Sequence, residues 1–170
     1  MEFAYNERKA AHAAAHLLRL HGGTPNYTSL IKFLYLADRK ALLGSGIPIT
    51  RSSLCSMDQG MVLSDVYDSI RFAAEGQPWR QFISAPEGYA VSLCDTTSAL
   101  DELSEYDIQV LNEINSQFGN WTWQRLAKYT HDLPEYEDPK GSSLTIDHEK
   151  ILSKENVPGE YIKEIADNVE

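Results

Sequence analysis

Along the first quarter of the chain, apolar positions recur with a helical period, and the breaks between runs are glycine and proline. Residues 3–21 form an Ala/Leu-rich run. Ala14, Leu17 and Leu18 fall on one face of it, and Gly22-Gly23 supplies a C-terminal stop. Thr24-Pro25 suits a helix start, a capping residue followed by proline in the first turn. From there Leu30, Ile31, Leu34, Ala37, Ala41 and Leu42 hold the period to Gly44, the most regular helical signal in the chain. Gly44-Ser45-Gly46-Ile47-Pro48 predicts a turn, and Ile49 to Gly60 has no single period. A short helix is expected over 64–74, with Ser64 as its cap, Val66, Ile70 and Ala73 on one side, and Gly76 and Pro78 beyond its end.

The pattern changes over 79–94. Trp79, Phe82 and Ile83, then Tyr89, Val91 and Leu93, are strand-like and are divided by Ala85-Pro86-Glu87-Gly88, which predicts a β-hairpin packed on the helices. Ser104-Glu105-Tyr106-Asp107 then carries the elements of a capping box and opens a helix through Phe118. Gly119-Asn120 breaks that helix, and another follows from Trp121 or Thr122 to Thr130. Residues 135–143 are polar and expected to be exposed, and short helices are expected over 148–152 and 158–168. No repeat or linker divides the chain. The expected architecture is one domain over 1–170, mainly α, with one small antiparallel β-hairpin or sheet.

Composition narrows the classes. At 170 residues and 42% hydrophobic, the chain can bury one core. No window approaches the roughly 18–20 apolar residues that span a bilayer, and the first twenty residues lack a signal-peptide core. Cys55 and Cys94 stand far apart in no CxxC context, which suits free thiols and a cytoplasmic location. The net charge of −10 is uneven: +3 over residues 1–50, −3 over 51–100 and −10 over 101–170. The acidic second half disfavours nucleic acid, although the +3 first third leaves room for operon autoregulation, and it favours a basic protein partner.

Candidate catalytic groups are weak. His12 and His16 share a helix face at the spacing of the HExxH metalloproteases. Alanines fill the positions between them, so the general base is missing and ordinary surface histidines are expected. Thr130-His131-Asp132 is a contiguous trio, whereas catalytic triads are assembled from distant segments. Cys55 has no evident base and reads as a small buried residue. A metal-assisted hydrolase using His12 and His16 is the rival reading. What remains is the strip Lys32-Phe33-Leu34-Tyr35-Leu36-Ala37-Asp38-Arg39, in which Lys32, Tyr35 and Arg39 share a face. In isolation such a face is read as solvated.

Read as a set, Lys32 to Asp38, Gly46-Ile47-Pro48-Ile49-Thr50, Ser56 to Val62 and Val66-Tyr67 resemble the Panacea (SocA-like) antitoxin domain family. They stand in the order of its K-L-L-Y-L-A-D helix, G-x-P-I-T turn, A-M-x-x-G-P-V segment and V-Y helix start. Trp123-Gln124-Arg125-Leu126 through Thr130-His131 is similar to the family's late helix ending in a T-H pair. Met61 stands where the family usually has Pro, and Tyr136 where Trp often follows the T-H pair. The resemblance implies a compact helical domain with a small antiparallel sheet and no catalytic residues, cofactor or metal. It further implies an antitoxin of a bacterial or phage toxin–antitoxin pair. The expected partner is a cognate toxin neutralised by contact. The alternative mechanism is an adaptor that hands the toxin to a cytoplasmic protease, and self-association as a homodimer stays open. The expected contact residues are Lys32, Tyr35, Asp38 and Arg39, with Met57, Gly60 and Tyr67 shaping the same neighbourhood.

Overall fold

The structure, a computed structural model, describes residues 1–22 and 24–169. Among them are eight helices and a three-stranded antiparallel sheet, a mainly α fold with a small sheet. Helix α1 (Glu7–His21) begins later than its apolar run suggests. The Asn6 side chain caps it by accepting from the Lys9 N–H at 3.0 Å, and Gly22 ends it at φ 68°. Gly23, the second glycine of the expected stop, lies outside the described residues. Five buried alanines (Ala10, Ala11, Ala13, Ala14, Ala15) let α1 approach its neighbours closely.

Helix α2 (Tyr27–Ser45) is capped by Asn26, not by Thr24: the Asn26 carboxamide oxygen accepts from the Thr28 N–H at 2.8 Å. Its end at left-handed Gly46 leaves Gly44 inside the helix. Every residue from Leu30 to Asp38 is buried, because α2 is ringed by α1, strand β2 (Gly60–Leu63) and helices α3 (Ser64–Phe72), α5 (Glu105–Phe118), α6 (Trp123–His131) and α7 (His148–Lys154). A helix enclosed on all sides has no solvent face for polar residues to occupy. One cluster of buried apolar side chains runs from Phe3 to Ile162 around it.

The sheet is not where the strand-like residues suggest. Strand β1 (Leu54–Met57) pairs with β2 across the two-residue turn Asp58-Gln59, and on its other side with β3 (Leu144–Ile146). The expected hairpin over 79–94 is instead the short helix α4 (Pro78–Phe82) followed by isolated antiparallel bridges, Ile83 to Leu93 and Glu87 to Ala90. Trp79 and Phe82 are both buried, and a three-residue spacing brings them to one side of a helix, whereas in a strand it would place them on opposite faces. Pro78 sits in the first turn, where its ring favours helix. Ser64 is the first residue of α3 and not its cap. The Ser52 hydroxyl accepts from the Asp65 N–H at 3.1 Å, while Asp65 accepts from the Ser53 N–H at 2.7 Å. The capping box at Ser104 and Asp107 is present, with both reciprocal bonds. The final helices are α7 and α8 (Gly159–Asp167). Among the described residues, no helix is long and apolar enough to cross a membrane.

His148, the first residue of α7, is buried against the edge of the Phe3 ring, and its Nε2 has no hydrogen-bond partner among the described residues. Burial pushes its pKa down to about 4. A histidine held neutral in this way contributes stability above its unfolded pKa, near 6.5, and that contribution is lost as pH falls through the folded value. Wild type is therefore expected to lose about 3 kcal/mol of unfolding free energy between pH 7 and pH 4 relative to His148→Phe. Urea titrations across that range measure the difference. Parallel pH profiles for the two proteins would remove His148 as the cause.

Candidate functional site

The polar strip of α2 is an internal frame for the β1–β2 hairpin and its surroundings. Carbonyls two residues apart on a strand point the same way, and β2 is an edge strand with unpaired groups on its outer side. Lys32 serves one of them and one from the turn before the strand: its Nζ donates to the Met61 carbonyl at 2.7 Å and the Gln59 carbonyl at 2.9 Å. One turn along, the Tyr35 hydroxyl donates to Glu135 Oε1 at 2.6 Å. Arg39 Nε donates to the same oxygen at 2.8 Å, and an Arg39 Nη reaches Oε2 at 3.2 Å. Arg39 also pairs with Glu155, just beyond α7. Asp38 accepts from the Thr50 N–H at 2.9 Å and from the Thr50 hydroxyl, which closes the turn after α2. Burial pushes the Asp38 carboxyl up to about 7 against the lowering effect of those bonds, and it pushes the Tyr35 phenol well above its ordinary range.

The expected contact residues divide in two. Tyr35 and Asp38 are 0% and 2% exposed, and Arg39 is half-buried and committed to two carboxylates, so these three hold segments together and do not form an open surface. Gly60 is also enclosed, at φ 99°, with the C-terminal turn of α6 directly against it. Lys32, Met57 and Tyr67, however, line one groove of about 560 Å³ between α2, the hairpin turn and α3. Tyr27 and Tyr89 share its walls. The Tyr27 ring lies 5.5 Å from that of Tyr89 and 6.4 Å from that of Tyr67, and burial with those two phenols raises the Tyr27 pKa. Beside the groove, Arg71 donates to the Tyr67 hydroxyl at 3.0 Å and stacks over the rings of Tyr67 and Phe72. Tyr89 and Phe72 are 66% and 68% exposed.

Glu135, Tyr27 and Tyr89 are the residues that sequence reasoning missed. Glu135 lies in a segment read as exposed, yet it is fully buried; local polarity carries no sign of a partner a hundred positions away. Tyr136, where the family often has Trp, donates to the Met57 carbonyl at 2.9 Å and packs on His131, so it braces the hairpin. Met61, at the family's Pro position, is fully buried and offers its carbonyl to Lys32.

The candidate catalytic groups are dispersed. His12 is buried, a correction to its reading as a surface residue: its Nδ1 accepts from the Glu102 N–H at 3.2 Å and its ring meets Phe82 edge-on. His16 bonds instead to Asn112 at 2.8 Å. Among the described residues, no group of three His, Cys, Asp or Glu could hold a metal around them. The Thr130 hydroxyl donates to the Ala127 carbonyl and is buried, away from His131 and Asp132 on the surface. Cys55 is a half-buried strand residue, and Cys94 is exposed.

A sequence model of the family described as "Antitoxin SocA-like, Panacea domain" matches residues 30–136. No curated protein and no solved structure matches the chain. The matched span takes in α2 from Leu30 onward, the hairpin and α3 to α6 and ends beside Glu135, so it holds most of the internal frame and most of the groove lining, though not Tyr27. Helix α1 and the segment with β3, α7 and α8 lie outside it.

Proposed function

The chain belongs to the SocA-like antitoxin, Panacea domain family, and on that premise we propose that it neutralises a protein toxin by direct contact through the groove walled by Tyr27, Tyr67 and Tyr89. The observation that carries this reading is the concentration of exposed Tyr, Phe and Arg at one place, above a hairpin that the family's own motif residues hold rigid. Tyrosine and arginine dominate the energetics of protein interfaces, since each covers much area with few rotors to order. A preformed groove also spares the ordering cost that a loose loop would impose on binding. The role is a binding one, carried out by 1–170 as one domain in the cytoplasm, with no catalytic step and no cofactor.

Co-expression with the product of the adjacent open reading frame tests this. Wild type should restore growth and form a stable complex on a sizing column. Tyr89→Ala and Arg71→Ala, both at solvent-facing positions, should each weaken the complex by about 10–100-fold without changing the melting temperature. Full protection by the doubly substituted protein would rule out the groove as the contact. Toxin that disappears in cells with an active protease but accumulates without it would point to adaptor action instead.

A further inference from the structure

Lys32 is incompletely served by its own protein. Lys9, Lys40, Lys128 and Lys150 each pair with a carboxylate on or near the surface. Lys32 is only 2% exposed and forms no ion pair among the described residues. A buried lysine is rare without a counter-ion, because removing an ammonium from water is costly unless its charge is met. Two carbonyls accept two of its protons; burial pushes the Lys32 pKa down to about 7, and in the protonated form the third proton has no acceptor among the described residues. The residue lines the groove, whose other charged lining residue is Asp58, exposed on the hairpin turn. Arg71 adds a second cation beside Tyr67. In a chain of net charge −10, this is an aromatic-walled depression with a buried lysine in its lining and an arginine beside it. Acidic groups repelled from the rest of the surface are directed towards it.

We propose that the groove receives an acidic side chain of the bound toxin, its carboxylate completing the shell of the Lys32 ammonium and its apolar stem lying against the Tyr27, Tyr67 and Tyr89 rings. The assignment rests on the toxin-binding reading above and gives that contact its chemistry. An aspartate or glutamate on the toxin supplies the missing counter-charge, and the desolvated ammonium makes the bond stronger than a rim pair would be. It also makes the contact selective. An amide or an amine in the same place would leave the lysine charge unmet or opposed.

Titration of the full chain with hydrocinnamate, hydrocinnamide and phenethylamine, followed through the tyrosine ring signals by NMR, tests the site. Hydrocinnamate should move the signals of Tyr27, Tyr67 and Tyr89 and bind at least about tenfold more tightly than the amide, with the amine weakest. Lys32→Met should abolish the preference for the acid. Since that variant could fail to fold, the acid–amide comparison on wild type stands by itself. Equal binding of acid and amide, or tighter binding of the amine, overturns the proposal while leaving the toxin complex intact. The same titration on the purified complex with the adjacent gene product should show the ring signals unmoved. Rings that still respond in the complex would mean that the toxin does not fill the groove, which also overturns it. If no complex forms at all, the toxin-binding reading itself falls.

Discussion

Glu135→Ala is expected to lower the unfolding free energy by about 3–5 kcal/mol, enough to leave much of the protein unfolded at 37 °C. The carboxylate is 0% exposed and receives the Tyr35 hydroxyl and two donors from Arg39. Its removal leaves a half-buried guanidinium with only Glu155 and a buried phenol with no acceptor. The magnitude comes less from the lost attraction than from the polar groups stranded where water does not reach. Glu135→Gln keeps an acceptor for Tyr35 and is expected to cost about half as much. Tyr35→Phe should cost about 1 kcal/mol, and the double variant with Glu135→Gln should fall short of the sum, because the two positions share one bond. Urea denaturation of the four proteins gives the cycle. A Glu135→Ala protein within about 1 kcal/mol of wild type would show that the frame is held elsewhere.

Gly60→Ala carries the second large effect, and Gly76→Ala is its control. Both glycines lie at positive φ, 99° and 90°, where a side chain strains the backbone by about 1–3 kcal/mol. At Gly76 an added methyl meets nothing, so strain is the whole effect. At Gly60 it would lie 2.8 Å from the Ala127 carbonyl and 3.0 Å from the His131 nitrogen, closer still to the Thr130 hydroxyl, and two of these atoms are backbone. Either α6 or the hairpin must move. The expected loss is about 2 kcal/mol beyond that of Gly76→Ala, with reduced toxin binding even in the folded fraction. The second part follows from position. Gly60 sits between Gln59 and Met61, whose carbonyls hold Lys32, so a displaced hairpin distorts the groove floor. Comparable melting temperatures for the two variants would refute the close approach of α6.

Much of the architecture was legible in local pattern. The long central helix, the capping box at Ser104 and the helix end at Gly22 depend on residues within a turn of one another, so periodicity and capping chemistry reveal them. The family resemblance likewise rests on ordered short motifs, and the span 30–136 agrees with it. Local pattern fails where residue type and spacing disagree. Trp79 and Phe82 are aromatic and so favour a strand, but three residues apart they share a face only in a helix, which formed with Pro78 in its first turn. The true strands, four residues or fewer, are too short to show alternation, and β3 joins its sheet from nearly ninety positions away.

Sequence alone determined that a helix carries Lys32, Tyr35, Asp38 and Arg39 in a recurrent arrangement, and which family that arrangement belongs to. Only the tertiary structure decided which way those residues face. On a peripheral helix the same strip would be solvated. Here α2 is enclosed, so each polar group is driven to a partner supplied by a distant segment: the β2 edge for Lys32, Thr50 for Asp38, Glu135 for Tyr35 and Arg39. Helical periodicity is set by bonds between residues four apart, whereas burial depends on every element packed around the helix, and the order of residues within one helix carries no record of those neighbours.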